Sequence, residues 1–372
     1  MDRTDTVSWV ICHCASYLRL SQAKTLAHLV TAAMRCRRIS LAELGRNLLG
    51  TVKHQIKRAW RFCANDRIET ADAMRGIIKR LLKKRKKTLL ISLDWTDIRG
   101  FTTLLAAAVI KGRSIPLCWT SCTSSTFSGH RSRNAFEESL LLVLRTMIPH
   151  RVPVIILADR GFGRTELARF CQRSDVGFHY LIRIRPEVRI KTLGFEGKLQ
   201  DYPVHKGIGK LLKDVQYKSH NSVVQNIVIR WKKSLPPDRD ECWYLMTDLD
   251  QTAVRLSELY AKRTRIEELF RDSKSKRNGW SLRDTQVGIA ATKPDRLDRL
   301  ILILAIAYLL LSGLGMRAAC FCKPSEWCSN SRADTCSAFQ IGLIMLRKFK
   351  CSAAQALATI LAATEQVVPK WG

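Results

Sequence analysis

Two apolar segments that each end in an aspartate constrain the fold of this chain more than any other feature. TLLISLD ends at Asp94, and VPVIILAD ends at Asp159. Short, fully apolar runs of this kind predict buried strands. An aspartate after a strand is often only a turn residue, yet an unpaired carboxylate at the edge of a core is costly. Two such strands together suggest a site that compensates both charges.

Further strand and helix patterns surround these segments. TTLLAAAVI and SIPLCW predict a hairpin about KGR, NAFEESLLLVLRTM predicts a helix, another helix follows near residues 163–173, and FHYLIRIR and WYLMT predict strands. Alternating strands and helices favour an α/β fold, with a mixed sheet flanked by helices. Residues 187–240 lose this alternation and predict a strand-rich insertion that carries many basic side chains.

The charge of the chain points to its partner. Lysine and arginine number 63 against 32 aspartates and glutamates, which gives a formal net charge of +31. Such a surplus favours nucleic acid, and no amphipathic anchor or lipidation signal supports a membrane partner. The longest apolar run starts at Leu300 and meets Ser312 and Gly313, before the roughly 20 residues that a membrane span needs. It predicts a buried helix.

The N-terminal residues and the cysteines indicate the compartment. MDRTDTVSWVICHC lacks the basic start, apolar stretch and cleavage site of a secretion signal, so we expect a cytoplasmic protein. The 13 cysteines are scattered, and we expect reduced thiols. Cys320, Cys322, Cys328 and Cys336 do cluster. Their spacing matches no paired CxxC frame and no histidine lies nearby, so a zinc site is the less favoured interpretation.

The region before the first strand predicts short helices over residues 22–66, with Ser40 and Glu43 as a capping pair and Gly50 as a break. It resembles a helix-turn-helix module whose second helix would present basic side chains to a DNA groove. These are Lys53, His54, Lys57, Arg58 and Arg61. An ordinary helical bundle with a solvated basic face explains the pattern equally well. The basic run KRLLKKRKK, residues 79–87, marks a boundary and is predicted to follow a phosphate backbone.

A third carboxylate lies in YAKRTRIEELFRDSK, residues 260–274. Tyr260, Arg263, Glu267 and Lys274 are spaced so that, at roughly 100° per residue, they share one stripe of a helix. Glu268 lies about 100° further round, and Arg271 projects near the stripe and could add a phosphate contact. Arg263 with Glu267 could also be a simple ion pair on a solvated helix.

The three carboxylates together suggest a metal centre. Asp94 and Asp159 at neighbouring strand ends, with Glu267 brought in by the helix, supply the oxygen ligands that Mg²⁺ prefers. Two such ions can activate water or a 3′ hydroxyl and stabilise the leaving oxygen at phosphorus. Arg263 and Lys274 then offer charge to DNA phosphates, and the Tyr260 hydroxyl offers a hydrogen bond.

These residues resemble a known family. Tyr260-x2-Arg263-x3-Glu267-x6-Lys274 is similar to the YREK signature of bacterial insertion-sequence transposases of the DDE class, in the family numbered four among insertion sequences. Two further stretches resemble the same family over roughly residues 30–345. They are LDWTD, with Asp94 and Thr96, and ADRGFG, with Asp159 and Arg160.

The resemblance implies a ribonuclease-H-like catalytic core with a strand-rich insertion and an N-terminal helical DNA-binding domain. The implied units are residues 1–87, 88–315 and 316–372. The implied activity is cut-and-paste DNA transposition with two Mg²⁺ ions, for which Mn²⁺ could substitute. The implied partners are double-stranded DNA, as terminal inverted repeats and target DNA, and a second protomer in a homodimer. Arg160 would be a DNA contact, and the bacterial protein would associate with the nucleoid.

The family also implies a role for a tryptophan before the YREK helix. In relatives, an aromatic side chain at this place stacks on a base flipped out near the transposon end, and Trp243 in WYLMT matches it. Trp243 could instead simply fill the sheet edge, and Trp231 is the alternative candidate. Trp95 departs from the smaller or polar residue that relatives often carry. A separate large C-terminal dimerisation domain is not expected.

Two other functions fit the same residues. A ribonuclease-H-like nuclease would cut DNA without joining it, and only the YREK resemblance speaks against this. A catalytically decayed protein would bind the terminal repeats and repress transposition. The presence of Asp94, Asp159 and Glu267 argues against decay.

Overall fold

The fold is described here from a computed structural model. It describes residues 1–367 except 84, 86, 99, 129–131, 219, 233–240, 276–279, 283–292 and 330–335. Residues 219 and 233–240 of the predicted insertion, 84 and 86 of the basic run, and 330–335 and 368–372 of the predicted C-terminal unit therefore lie outside the described residues.

The centre of the molecule is a mixed sheet in the order β3-β2-β1-β4-β5. Its strands are β1 (Leu89–Ile98), β2 (Phe101–Ile110), β3 (Arg113–Thr123), β4 (Val154–Ala158) and β5 (His179–Arg183). β1, β4 and β5 are parallel, whereas β2 is antiparallel to both of its neighbours. This order and these directions are the ribonuclease-H-like arrangement, so the predicted fold class is confirmed. The apolar runs form strands because both of their faces are buried.

The strand-rich segment continues the same sheet. Its strands are β6 (Arg189–Thr192), β7 (Phe195–Lys198), β8 (Gly209–Tyr217) and β9 (Val223–Lys232), and the predicted core strand β10 (Glu241–Thr247) follows it. β10 pairs antiparallel with β5, and the order then runs β9-β8-β6-β7, which gives ten strands over the described part of the chain. The insertion therefore extends the central sheet rather than forming a separate layer.

The residues before β1 form five helices over the described ranges. They are α1 (Arg3–Cys14), α2 (Leu20–Ala33), α3 (Leu41–Arg46), α4 (Val52–Ala64) and α5 (Thr70–Leu82). α1 lies outside the predicted helical region, and α5 contains the first residues of the basic run. Leu81 and Leu82 are buried, and Arg85 is only 3% exposed and donates to Thr364 Oγ1 at 2.7 Å. The prediction that this run follows a phosphate backbone is wrong for Arg85, because its guanidinium is a core group.

The long apolar run forms a buried helix, as expected, but its bounds differ from the prediction. α10 (Pro294–Phe321) passes through Ser312 and Gly313 without a break. It is long and apolar enough to cross a membrane by length and composition alone, yet 94% of its most apolar window is buried inside the protein. A Cβ on Gly313 would lie 2.3 Å from the carbonyl oxygen of Ala356, and one on Gly315 would lie 1.7 Å from that of Ala338. These glycines therefore let two helices pack directly on α10: α11 (Ala338–Met345) and α12 (Ala353–Glu365).

Two apolar clusters hold the layers together. The larger one lies against one face of the sheet and contains side chains from every predicted unit, from Trp9 of α1 to Ala363 of α12. The smaller one joins the opposite face to a single helix, α8 (Ala253–Ala261). The three predicted units, 1–87, 88–315 and 316–372, share this one core. Their division therefore stays a prediction about function. Two more helices pack near the sheet, α6 (Arg133–Met147) and α7 (Thr165–Gln172).

Candidate active site

Two aspartates lie side by side where parallel strands end. Leu93 of β1 pairs with Ala158 of β4, so Asp94 and Asp159 are the next residues on neighbouring strands. Backbone groups orient both carboxylates. The Trp95 N–H donates to Asp94 Oδ1 at 2.9 Å, and the Gly161 N–H donates to Asp159 Oδ1 at 2.8 Å. The sequence prediction that the two strand ends converge is therefore met by the sheet register.

The third carboxylate is joined to the first through an arginine. Arg263 Nη1 lies 3.5 Å from Asp94 Oδ2, and Arg263 Nη2 donates to Glu267 Oε1 at 2.6 Å. Glu267 is 52% exposed, whereas Asp94 and Arg263 are 18% and 15% exposed. Burial raises the pKa of Asp94 to about 6, Arg263 opposes this shift, and the charges of Asp159 and Glu267 add to it. Asp94 therefore ionises less readily than a solvated aspartate.

The three carboxylates are the type of ligand that binds a divalent cation. Carboxylate oxygens are the ligands that Mg²⁺ prefers, and the charges of Asp159 and Glu267 both act on Asp94. Over the residues that the structure describes, no three acidic, histidine or cysteine side chains form a preformed metal cluster. At this site, Glu267 is paired with the Arg263 guanidinium instead of lying against the two aspartates, which explains the lack of a preformed cluster.

The helix that carries Glu267 is α9 (Arg265–Lys274), and a 3₁₀ turn, Lys262–Thr264, separates it from α8. The predicted single helix is therefore interrupted, and Arg263 lies in the turn. The Tyr260 hydroxyl still interacts with Arg263 and feels the charge of Asp159, so it lies on the side of the site. Tyr260 is 4% exposed, and its burial raises its pKa to about 12.

Lys274 fixes the other end of α9 against β1. Its Nζ donates to Thr96 Oγ1 and, at 2.9 Å, to the carbonyl oxygen of Asp97, and it lies 5.3 Å from the centre of the Phe270 ring. Thr96 lies two residues beyond Asp94 on β1, so the two side chains point to the same face of the sheet and Lys274 lies on the Asp94 side of the site.

The predicted base-stacking tryptophan lies beside Tyr260. The Trp243 ring meets the Tyr260 ring edge-on, with centroids 5.3 Å apart, and Trp243 Nε1 donates to Glu241 Oε2 at 2.8 Å. Trp243 is half-buried. The alternative, Trp231, has Lys206 Nζ 5.6 Å from its ring centre.

The remaining predicted DNA contacts are spread over the surface. Arg160 is exposed in the turn after Asp159. Arg271 is 72% exposed and pairs with Glu268 at 3.4 Å. On α4, Arg58 donates to Thr25 Oγ1 at 3.2 Å and is half-buried. The other basic side chains of α4 are exposed: Lys53, His54, Lys57 and Arg61.

A buried polar network behind α9 is absent from the sequence predictions. Arg113 pairs with Glu268 at 2.9 Å and with Asp272 at 3.2 Å, and Asp272 also accepts hydrogen bonds from Tyr308 at 2.9 Å and Ser337 at 3.0 Å. These residues come from β3, α9, α10 and the start of α11. Asp272 follows Leu269 by three positions and so lies on the core side of α9. A buried acid needs a compensating cation, so an aspartate on this apolar face is a sequence signal for a buried partner such as Arg113.

Trp95 has a structural partner that explains its size. Its Nε1 donates to Glu137 Oε1 at 2.9 Å, and Arg164 pairs with the same buried carboxylate. Burial raises the pKa of Glu137, and Arg164 opposes that shift. The network joins β1, α6 and the segment after Asp159, so Trp95 helps to hold the two aspartate-bearing strand ends together.

The cysteines form no metal cluster within the described ranges. All 13 are free thiols, and Cys320 and Cys322 lie at the exposed end of α10. Burial raises the pKa of Cys63, Cys118 and Cys171 to about 12, which keeps these thiols protonated.

Comparison with known proteins decides the family. Residues 85–310 match the family model described as the transposase DDE domain. This span covers more than half of the 372 residues. The chain belongs to the transposase DDE domain family. No curated protein matches this DDE transposase. Among solved structures it is similar to a cryo-EM structure of the piggyBac transposase synaptic complex with hairpin DNA. The identity is 10%, the TM-score is 0.45, and the match covers 98% of this chain and 78% of that chain.

Family membership supports DNA transposition and a nuclease or polynucleotidyl transferase activity, and DDE transposases generally use divalent metal ions. Asp94, Asp159 and Glu267 all fall inside the matched span. Asp94 and Asp159 at the strand ends and Glu267 on α9 offer carboxylate oxygens, which are the ligands that Mg²⁺ prefers.

Proposed function

We propose that this chain is an insertion-sequence transposase that cleaves DNA at the ends of its element and joins the freed 3′ ends to target DNA by a cut-and-paste route. One observation carries the proposal. Asp94 and Asp159 end adjacent parallel strands, and Arg263 links Asp94 to Glu267. Three carboxylates from three distant segments therefore face one point on a strongly basic protein.

In this proposal Asp94, Asp159 and Glu267 hold the divalent ions, two Mg²⁺ with Mn²⁺ as a possible substitute. The ions would supply an activated water or 3′ hydroxyl and stabilise the leaving oxygen. Arg263 keeps Glu267 turned toward Asp94 and offers its guanidinium to a phosphate. Lys274 offers a second positive charge from the β1 side.

The deciding experiment uses duplex DNA that carries the element's own terminal inverted repeats. The full chain is incubated with this DNA in Mg²⁺ and, separately, in Ca²⁺, and nicks, hairpins and joined products are scored. Joined products in Mg²⁺ support the proposal. Nicks without joining, also with pre-cut ends, would indicate the nuclease, and tight binding without nicks would indicate the repressor. Either of these results would overturn it.

Other roles belong to the same proposal. Trp243 would supply the aromatic ring for a flipped base, which needs a π-surface after it leaves the stack. We also propose that two protomers pair on the DNA ends as a homodimer, in the cytoplasm at the bacterial nucleoid. Native mass determination of the protein with end DNA tests the dimer.

Lys274→Ala is expected to lower the end-cleavage rate by about 10²-fold, because a preorganised donor near the reacting phosphate is lost. Nonspecific DNA binding should fall much less. Lys348→Ala, an exposed lysine after α11, is the matched control. Quenched-flow cleavage assays and binding titrations on the same DNA check the difference. Equal losses in cleavage and binding would show that Lys274 is part of the general basic surface.

Lys53→Ala with Lys57→Ala tests the exposed face of α4. If both side chains contact phosphates, the slope of log K against log salt concentration should become shallower by about 0.9 per lost contact. Fluorescence anisotropy at several salt concentrations measures the slope, with Lys348→Ala plus Lys350→Ala as the matched pair. An unchanged slope would favour the solvated helical bundle over the helix-turn-helix interpretation.

A further inference from the structure

The backbone register places a third charged side chain in the row of the two aspartates. Ala158 of β4 pairs with both Leu93 of β1 and Ile182 of β5 in parallel strands. Asp94, Asp159 and Arg183 are therefore the next residues on three adjacent strands. Residues in register on neighbouring strands point to the same face of a sheet.

The apolar cluster under α8 fixes which face this is. Leu157 and Leu181, two residues before Asp159 and Arg183, both belong to that cluster. Leu245 of β10, which pairs directly with Arg183, belongs to it as well. Because strand side chains alternate, Arg183 leaves the sheet on the same face as the catalytic aspartates, beyond the end of the apolar cluster.

A single carboxylate holds Arg183 and the predicted base-stacking residue together. Glu241 Oε1 pairs with Arg183, and Glu241 Oε2 accepts a hydrogen bond from Trp243 Nε1 at 2.8 Å. Arg183 is 23% exposed and Glu241 is 49% exposed. The positive charge of Arg183 also acts on the Tyr260 hydroxyl. Arg183, Trp243 and Tyr260 thus form one wall of the site next to Asp159.

We propose that Arg183 binds a backbone phosphate of the DNA beside the catalytic aspartates, and that Glu241 occupies the guanidinium until that phosphate displaces it. The proposal rests on the proposed function as a DNA-cleaving enzyme. A guanidinium fork matches two phosphate oxygens. Half-exposed ion pairs of long side chains stabilise a fold little, so exchange of Glu241 for a phosphate is favourable. Displaced Glu241 also releases the indole N–H of Trp243.

The test uses variants whose expected effects have opposite signs. Binding to end DNA is measured in Ca²⁺ over a range of salt concentrations, and cleavage is measured in Mg²⁺. Arg183→Ala should weaken binding about tenfold, because a charge-assisted contact is lost, and should make the salt slope shallower by about 0.9. Glu241→Gln should strengthen binding several-fold, because a competing anion is removed. The double variant should behave like Arg183→Ala.

The control is an exposed ion pair elsewhere, Arg173 with Asp175 at 2.7 Å, changed to Arg173→Ala and Asp175→Asn. Equal weakening by Arg183→Ala and Glu241→Gln, with matching losses of melting temperature, would mean a purely structural pair and overturn the proposal. Unchanged binding in both variants would overturn it too. If the wild type binds end DNA without cutting it, the proposed function fails, and the two binding effects still decide the role of Arg183.

Discussion

Asp94→Asn, Asp159→Asn and Glu267→Gln are each expected to lower the rate of strand cleavage by about 10³-fold. Each amide keeps the size of the side chain and removes the charge that would hold a divalent ion. Metal ions supply several kcal/mol of transition-state stabilisation, and each 1.36 kcal/mol is a factor of ten in rate. Gel-based nicking of end DNA in Mg²⁺ measures the loss. Binding of the same DNA in Ca²⁺ should change only a few-fold.

Asp97→Asn is the matched control for the aspartates. Asp97 is exposed, lies three residues beyond Asp94 on the same strand and accepts a hydrogen bond from Thr102 Oγ1 at 2.9 Å. Its cleavage rate should stay near that of the wild type. Wild-type cleavage by Asp94→Asn, Asp159→Asn or Glu267→Gln would remove that residue from the catalytic set.

Arg113→Ala is expected to lower the free energy of unfolding by about 3 kcal/mol, because it leaves a buried carboxylate without its cation. The Arg113 side chain is 15% exposed and that of Asp272 is 4% exposed. Burial already raises the pKa of Asp272, and Arg113 opposes that shift. Urea denaturation followed by tryptophan fluorescence measures the loss. Arg113 also holds α9 in one orientation, and α9 carries Glu267. Cleavage should therefore fall more than DNA binding.

Two further variants separate an unpaired charge from a general packing defect. Arg113→Met combined with Asp272→Asn should recover most of the lost stability, because neither partner then carries a buried charge. Arg46→Ala, which removes an exposed pair with Glu43, should change stability by no more than about 0.5 kcal/mol. A loss for Arg113→Ala as small as that of Arg46→Ala would contradict a buried role for the pair.

Local patterns were sufficient for the elements that carry the catalytic residues. Strands β1 and β4 are buried on both faces, and burial of that kind leaves an uninterrupted apolar run in the sequence. The hairpin of β2 and β3 and helices α6 and α7 also follow their own apolar periodicity and turn residues. The specific spacing in YAKRTRIEELFRDSK indicated the third carboxylate without knowledge of the fold.

Local patterns were insufficient where a residue's role depends on a distant partner. Arg85 lies in a run of basic residues that looks solvated, yet its guanidinium is buried against Thr364. Gly313 interrupts an apolar run, yet it lets α12 pack on α10. Arg183 lies at the end of an ordinary strand, and only the pairing of β5 with β4 aligns it with Asp159.

The sequence by itself determined which apolar segments form buried strands and helices and where the aspartates stand on their strands, and its net charge predicts a polyanionic partner. Hydrophobic periodicity and net charge are properties of each segment or of the composition, so they can be read without a fold. Only the tertiary structure decided that Arg263 stands between Asp94 and Glu267, that Arg113 holds α9 through Asp272, and that Tyr260 is buried. Each of these facts depends on contacts between segments far apart in the chain, and sheet register and helix packing set those contacts.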